Sequence, residues 1–245
     1  MIIDIAAQKA LWQEAFGDTD AFLDGFFATG FSPSHCQCLY QNHRLAAALY
    51  WFDCNWQDKK LAYLYAVATK KSLQGQGLCR SLMEATHTQL QRAGYAGAVL
   101  VPGTPQLAQM YGKFGYKTFS FCKKEEILPS KPLSIKEISP SEYASLRQVY
   151  LPENAVCQEK PAFDFLATFC RFYRTKDGLF CLSRQDDTLN FQEFLGDISL
   201  LPGITAAMTA EKAFVRVSDD RTPFAMYRSF TGDDATPGYF ALPMD

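Results

Sequence analysis

The residues best suited to chemistry lie in one short segment, Gln74-Gly75-Gln76-Gly77-Leu78-Cys79-Arg80. Residues 61–69 before it are apolar and aromatic, as in a buried strand, and the apolar residues after it recur at helical spacing. The backbone N–H groups in the first turn of a helix have no intrahelical acceptors, and together with the helix dipole they attract anions. Because Gly75 and Gly77 lack a Cβ atom, a pyrophosphate group can approach this backbone closely.

Two nucleotide-binding motifs are excluded at this segment. The P-loop requires G-x4-G-K-[ST], which is absent, and the dinucleotide fingerprint requires a third glycine where Arg80 stands. A lone G-x-G also occurs in ordinary strand-to-helix turns. On these residues alone, phosphate binding and a simple turn both remain open.

The same segment resembles the coenzyme A motif of the GCN5-related N-acetyltransferase (GNAT) superfamily, [RQ]-x-x-G-x-[GA]. Gln74 and Gly77 match the pattern, and Cys79 stands where Gly or Ala is usual. The preceding Val67-Ala68-Thr69 resembles the family's fourth strand, whose exposed backbone groups pair with the pantetheine arm. The resemblance covers about residues 5–123 and is greatest to the enhanced intracellular survival (Eis) branch.

A second match lies downstream at the expected distance, in Met110-Tyr111-Gly112-Lys113-Phe114-Gly115-Tyr116. It resembles the family's Y-x-x-x-G-[FY] segment, in which the tyrosine is the general acid in many members. Tyr111 lies four residues before Gly115, as the pattern requires. The resemblance therefore implies Tyr111 as the catalytic acid, and the alternative is a tyrosine of the core or of a pocket wall.

The resemblance implies that acetyl-CoA is the co-substrate and that its acetyl group passes directly to a primary amine in a ternary complex. The acceptor is expected to be a small molecule or a peptide, and no metal is expected. The residues implied to bind the coenzyme are Val67, Ala68, Thr69, Gln74, Gly75, Gln76, Gly77, Leu78, Cys79 and Arg80. The alternative is a non-catalytic protein that binds or senses acyl-CoA. Cys79 mildly favours this alternative, and Tyr111 argues against it.

The base that deprotonates the amine is not identified. Glu14, Asp18 and Asp24 are candidates, but each is equally well explained as an exposed helix charge. In the Eis branch a chain-terminal carboxylate lies in the active site, and the apolar residues before Asp245 would allow a similar docking. A carboxylate delivered by Asp245 is therefore a hypothesis.

Periodicity and turn signals predict mixed α and β elements along the chain. Helices are predicted over 6–30 (broken at Gly17-Asp18), 78–92, from Pro105, and over 140–150, 161–174 and 203–212. Strands are predicted at 36–40, 45–52, 61–69, 96–101, 116–123, 133–138, 179–183, 190–195, 213–217 and 224–230.

The fold class is predicted as α/β (α+β). The best linker candidate is the Pro- and Ser-containing stretch 129–134. We expect a GNAT domain over 1–127, with a central mixed, mostly antiparallel sheet flanked by helices, and a smaller α+β domain over 128–245. One interpretation of the second domain is a degenerate GNAT domain. The aromatic stretch 161–173 either lines an acceptor pocket or forms a core helix, and its spacing favours the core.

The near-neutral charge of −2 offers no basic surface for nucleic acid or an anionic membrane. Neither a secretory leader nor a bilayer-spanning run is evident in the sequence, so we expect a cytoplasmic protein without a membrane partner. The apolar second half is compatible with a homodimer.

The eight cysteines are scattered and are expected to be reduced. Their one cluster is His35-Cys36-Gln37-Cys38, with His43 downstream. Zinc is an alternative there, but the paired C-x2-C spacing is missing. A strand whose alternate cysteines face the core is favoured.

Overall fold

The structure is a computed structural model and describes residues 4–232, 235–240 and 242–244. The helices are α1 (Ile5–Phe16), α2 (Asp20–Gly25), α3 (Leu78–Arg92), α4 (Pro105–Gly112), α5 (Pro140–Tyr150), α6 (Lys160–Leu166) and α7 (Leu201–Ala207). The strands are β1 (Cys36–Gln41), β2 (Arg44–Trp56), β3 (Lys59–Thr69), β4 (Gly97–Leu100), β5 (Lys117–Ile127), β6 (Lys136–Ile138), β7 (Ala155–Gln158), β8 (Arg171–Arg174), β9 (Gly178–Gln185), β10 (Thr188–Gly196), β11 (Lys212–Ser229) and β12 (Tyr239–Phe240). No helix in these described ranges is long and apolar enough to cross a membrane.

The strands form one mixed sheet in the order β12-β7-β2-β3-β4-β11-β10-β9-β8-β6, with β1 also on β2 and β5 also on β11. Most neighbouring strands are antiparallel, while β3 with β4, β10 with β11 and β12 with β7 are parallel. The predicted mixed, mostly antiparallel sheet flanked by helices is confirmed.

The predicted break between the first two helices is confirmed, and its cause is local. Gly17 takes a left-handed φ of 78° and ends α1 with a backbone hydrogen bond to Gln13. Thr19 then caps α2, because its hydroxyl accepts from the Phe22 N–H. This turn brings Trp12 of α1 against Phe26, which directly follows α2, with ring centroids 4.7 Å apart.

The first and second halves of the chain share strand β11. Its C-terminal end pairs with β4, much of its length pairs with β5, and its first residues pair with β10. The largest core cluster likewise joins residues of both halves, from Leu11 to Met244. The division at 127/128 stays a prediction, and any division of the chain must account for this shared strand.

The predicted helix over 161–174 is wrong beyond α6. After Leu166 the chain makes tight turns, with the Thr168 N–H on the Phe165 carbonyl, and residues 171–174 form β8 between β6 and β9. The strand is covered on both faces, since the adjacent Phe172 and Tyr173 are both buried and belong to different core clusters. Phe165 and Leu166 are fully buried, which confirms the core interpretation of this stretch.

Two other predicted boundaries in the second half are wrong. The predicted helix 203–212 is shorter and earlier, as α7, and Thr209 follows it with a left-handed φ of 51°. The strands predicted at 213–217 and 224–230 are one strand, β11. Its pairing with β5 skips from Ser218 to Pro223, and Asp219 accepts from the N–H groups in between, so the interruption is a bulge.

Candidate active site

The site begins where β3 and β4 part. These strands pair only from Leu61 to Tyr63 along β3. Ala66 has a left-handed φ of 49°, which a non-glycine residue rarely adopts, and the pairing of β2 with β3 shifts register at the same place. This bulge turns the end of β3 away from β4 and leaves its backbone facing a gap.

Beyond β3, a glycine loop leads into α3. Gly75 and Gly77 have φ of 77° and 81°, and a Cβ atom added at either would meet no atom within 4 Å. Backbone conformation, and not lack of space, therefore requires glycine here. The loop is braced by Gln74, whose Nε2 donates to the Thr69 carbonyl at 3.3 Å.

The backbone N–H groups at the N-terminus of α3, next to this loop, donate to no capping side chain among the described residues. Gly77 is the N-cap, no described side chain caps the helix, and the Ser81 N–H makes the first intrahelical bond to the Gly77 carbonyl. The N–H groups of Leu78, Cys79 and Arg80 precede that bond and have no intrahelical acceptors. The arrangement suits an anionic group such as a pyrophosphate.

A cavity of about 450 Å³ joins the end of β3, the glycine loop and α4. The predicted site residues that line this cavity are Val67, Thr69, Gln74, Gly75, Gly77, Leu78, Cys79, Arg80 and Tyr111. Ala68 and Gln76 are not among the lining residues: Ala68 packs into the core on the other face of β3, and Gln76 is exposed.

The sequence analysis missed four apolar lining residues, Leu73, Leu107, Met110 and Phe114. Three of them carried a signal, because Leu107, Met110 and Phe114 lie three or four residues from one another or from Tyr111, which is the spacing of one helix face. Phe114 itself follows the end of α4 at Gly112. Leu107 is exposed despite being apolar. The cavity thus has apolar walls on α4 and polar backbone on the opposite side.

Tyr111 lies in the last turn of α4, is only 6% exposed and lines the cavity. Its ring packs edge-on against Phe114 and Tyr116, at centroid distances of 6.4 and 6.0 Å. Burial, and to a smaller extent the nearby Cys79, raises the pKa of Tyr111 above its usual value. The phenol therefore carries its proton throughout the neutral range.

Cys79 also lines the cavity, and burial raises the pKa of its thiol. A neutral thiol is a poor nucleophile, so Cys79 acts as a small wall residue. Arg80 beside it is exposed and lies over the Phe114 ring, with its Cζ 5.3 Å from the centroid.

Next to this cavity, a polar cluster ties β11 to α3. Nδ1 of His87 lies 2.7 Å from Nη1 of Arg228, and its Nε2 lies 2.8 Å from the Tyr116 hydroxyl. Because the guanidinium only donates, Nδ1 accepts and the proton of the neutral ring is on Nε2. Arg228 also donates to the Phe114 carbonyl at 2.7 Å. The cluster fixes the segment that follows Tyr111.

This cluster predicts a pH-dependent stability. Burial, and secondly Arg228, lowers the pKa of His87 from 6.5 to about 4. Between these values the unfolded chain binds a proton that the folded chain does not. The free energy of unfolding should therefore have its full value above pH ~6.5 and should fall by about 2–3 kcal/mol as the pH is lowered to ~4. Urea unfolding of wild type and His87→Gln across this window should give a shallower pH slope for the variant; equal slopes would contradict the assignment.

The three acidic candidates for a base near the first helices all have partners. Glu14 accepts from the Lys71 N–H at 2.7 Å, and Asp18 accepts from Nε1 of Trp12 at 2.7 Å. Asp24 forms an ion pair with Lys9. These contacts brace the helices and the 71–73 turn. Asp24 is exposed, as the helix-charge interpretation requires, whereas Glu14 and Asp18 are half-buried.

The segment before the chain end lies against β3. The Tyr65 hydroxyl donates to the Met244 carbonyl at 3.0 Å, and Met244 is buried. Asp245, for which a catalytic carboxylate was hypothesised, lies outside the described residues.

The two cysteines of the cluster lie on strand β1. Sγ of Cys36 and Sγ of Cys38 lie 3.5 Å apart on β1 and pack against the core. His35 instead stacks on Trp51 and lies 3.7 Å from Asp53. In the part of the chain that the structure describes, no group of three or more His, Cys, Asp or Glu residues could hold a metal ion.

The parting strands, the glycine loop and Tyr111 all lie in one stretch of the chain that matches a known family. Residues 3–119 match the family model of the acetyltransferase (GNAT) domain. Residues 3–119 therefore form a GNAT domain, whose fold supports acyl transfer in general.

Solved structures extend the similarity over almost the whole chain. A GCN5-related N-acetyltransferase from Kribbella flavida has a TM-score of 0.69 at 13% identity, covering 94% of this chain and 70% of that one. Eis1 from Mycobacterium abscessus has a TM-score of 0.65 at 12% identity, covering 93% and 72%. A tandem GNAT protein from the clavulanic acid biosynthesis pathway has a TM-score of 0.59 at 10% identity, covering 94% and 96%.

Identities this low show the shared fold alone, and the tandem GNAT neighbour fits the expectation of a second domain. No curated protein matches the chain.

Proposed function

We propose that the protein is an N-acetyltransferase that moves the acetyl group of acetyl-CoA directly to a primary amine. The observation that carries the proposal is a single cavity that brings together the splayed end of β3, the uncapped N-terminus of α3 and the buried hydroxyl-bearing side chain of Tyr111.

Each part of the cavity has a chemical counterpart in acetyl-CoA. The pyrophosphate fits the loop from Gln74 to Arg80, where backbone N–H groups supply the donors. The pantetheine arm, which is itself amide-bearing, fits the free backbone edge of β3 at Val67 and Thr69. Cys79 adds only a thiol to this wall, and its neutral state places no negative charge near the phosphates.

The reaction follows from this placement. The amine nitrogen forms a bond to the thioester carbonyl carbon, and backbone N–H groups of the splayed strand stabilise the developing oxyanion. The carbon–sulfur bond then breaks, and Tyr111 donates its proton to the departing thiolate. The amine nitrogen loses one proton to solvent, and Tyr111 regains one from solvent, so the protons balance over a turnover. Holding both substrates together supplies much of the acceleration, and no enzyme nucleophile is needed.

The finer assignments are part of the same proposal. The acceptor is a small molecule or a peptide with a primary amine, the enzyme acts in the cytoplasm, and it is compatible with a homodimer. The non-catalytic acyl-CoA sensor remains the competing class, and it would bind acetyl-CoA without turnover.

Thermal unfolding tests the proposal first. Acetyl-CoA at about 100 times its Kd should stabilise the folded state by about 2.7 kcal/mol. For a chain of this size that corresponds to a rise in Tm of about 5–10 °C. Coenzyme A without the acetyl group, and adenosine alone, serve as partial ligands. No rise in Tm at saturating acetyl-CoA would refute the proposal, and a rise without any transfer to amines would favour the sensor.

A further inference from the structure

The loop between β3 and α3, residues 71–77, is exposed and is held by few contacts. Leu73 is half-buried, and the other residues of this loop are exposed. Apolar burial therefore contributes little to the shape of the loop, and hydrogen bonds must fix it. The Leu73 N–H donates to the Lys70 carbonyl at 2.8 Å, and Nε2 of Gln74 donates to the Thr69 carbonyl at 3.3 Å.

One contact ties the 71–77 loop to a different part of the fold. Oε1 of Glu14, on α1, accepts from the Lys71 N–H at 2.7 Å. Among the described residues, Glu14 is the one group outside β3, the loop and α3 that hydrogen bonds to this loop. The Lys71 N–H lies in the first position of a short 3₁₀ turn, which leaves that donor without an acceptor of its own. Glu14 therefore caps the turn from which Leu73 and Gln74 reach the cavity.

Helix α1 is a fixed support for this contact. Trp12 is buried, and its ring centroid lies 5.3 Å from that of Tyr50 on β2 and 5.6 Å from that of Tyr65 on β3. Glu14 follows two residues later and is half-buried. Moving its carboxylate would require moving a helix that is packed on the core, so the Lys71 N–H meets an acceptor whose position is set in advance.

We propose that Glu14 is a positioning residue for acetyl-CoA, which holds the 71–77 loop in the conformation that receives the coenzyme. The inference rests on the proposed function and gives α1 a part in coenzyme binding. Glu14 does not line the acetyl-CoA cavity, so it acts through the backbone of the loop. If only a fraction of the molecules hold the loop in the binding conformation, the apparent Kd rises by the inverse of that fraction.

This role differs from that of a general base, for which the sequence makes Glu14 a candidate. A base must lie within hydrogen-bond reach of the proton that it removes. Oε1 of Glu14 instead accepts from the Lys71 N–H, beside the loop that fits the pyrophosphate. Glutamine keeps an acceptor with the same reach but is not a base, so Glu14→Gln separates the two roles.

Three variants test the proposal. Glu14→Leu removes the acceptor, Glu14→Gln keeps it, and Gln13→Leu is the matched control. Gln13 is the preceding residue of α1, is also half-buried, and donates through Nε2 to Asp20 and not to the loop. Each variant is compared with wild type by isothermal titration with acetyl-CoA and by hydrogen exchange, without ligand, in a peptide spanning 70–77. The release of coenzyme A thiol at saturating acetyl-CoA, with benzylamine as the probe, gives kcat.

We expect Glu14→Leu to bind acetyl-CoA about 10-fold more weakly, which corresponds to about 1.4 kcal/mol and is the size expected for one lost hydrogen bond to a charged group. Its 70–77 peptide should exchange faster than in wild type. Its kcat should be unchanged, because the saturating coenzyme itself orders the loop. Glu14→Gln and Gln13→Leu should match wild type in affinity, exchange and kcat.

Several results would overturn the proposal: unchanged affinity in Glu14→Leu, an equal loss of affinity in Gln13→Leu, or a loss of affinity in Glu14→Gln. A loss of kcat in Glu14→Gln with affinity kept would assign Glu14 as the base and overturn it as well. If wild type fails to bind acetyl-CoA, the proposed function fails, and exchange in the ligand-free protein still decides whether Glu14 holds the loop.

Discussion

Tyr111→Phe is expected to lower kcat by about 10²–10⁴-fold and to leave acetyl-CoA affinity within about twofold of wild type. The substitution removes only the hydroxyl, because Phe keeps the ring that packs against Phe114 and Tyr116. The thiolate must then leave without a proton from the enzyme. Steady-state release of coenzyme A thiol measures kcat, and isothermal titration measures affinity.

Tyr116→Phe is the matched control, since it makes the same change in the same segment. Tyr116 is fully buried, its hydroxyl pairs with His87, and it does not line the cavity. Loss of that hydrogen bond should lower stability by about 1–3 kcal/mol and leave kcat near the wild-type value at temperatures well below Tm. Equal losses of kcat in the two variants would show that Tyr111 is a structural tyrosine and not the acid.

The pH profile adds an independent check on Tyr111. Burial raises its pKa above the usual value of about 10. An acid with a raised pKa keeps its proton to higher pH, so the wild-type kcat should show no falling limb from loss of this proton up to pH ~10. The raised pKa also makes proton transfer to the thiolate less favourable, so Tyr111 must be close to the sulfur to act.

Local sequence determined most of what could be predicted about the site. The glycine loop is readable because Gly75 and Gly77 adopt backbone angles that other residues avoid, and α3 follows from its apolar periodicity. Tyr111 was found through spacing in a family pattern. The apolar walls at Leu107 and Phe114 were missed, although they lie at helical spacing from Tyr111, because apolar residues at that spacing usually signify a core.

Features that depend on distant partners could not be predicted. Residues 171–174 carry aromatic side chains at a spacing that also fits a helix, and only pairing with β6 and β9 makes them a strand. The shared strand β11 lies beside β4 and β5, and nothing local to its sequence indicates that pairing. The contact of Gln158 with Leu242 joins residues 84 positions apart. Such long-range pairings are set by the whole sheet and not by local preference.

The coenzyme site itself can be removed by a change at the glycine loop. Gly77→Glu is expected to weaken acetyl-CoA binding by at least about 100-fold, because it places a carboxylate where N–H donors and the helix dipole favour a pyrophosphate. An added Cβ at Gly77 meets no atom within 4 Å, so the new side chain enters open space at the cavity wall.

A non-glycine residue in this left-handed backbone conformation would by itself lower stability, and Gly94→Glu controls for that effect. Gly94 follows the other end of α3, has φ of 80° against 81° at Gly77, and likewise has no atom within 4 Å of an added Cβ. Both variants should therefore lose a similar amount of stability, about 1–2 kcal/mol for a left-handed non-glycine residue. Only Gly77→Glu should lose acetyl-CoA affinity in isothermal titration. Equal affinities in the two variants would mean that the coenzyme does not use the N-terminus of α3, and the cavity would then need a different ligand.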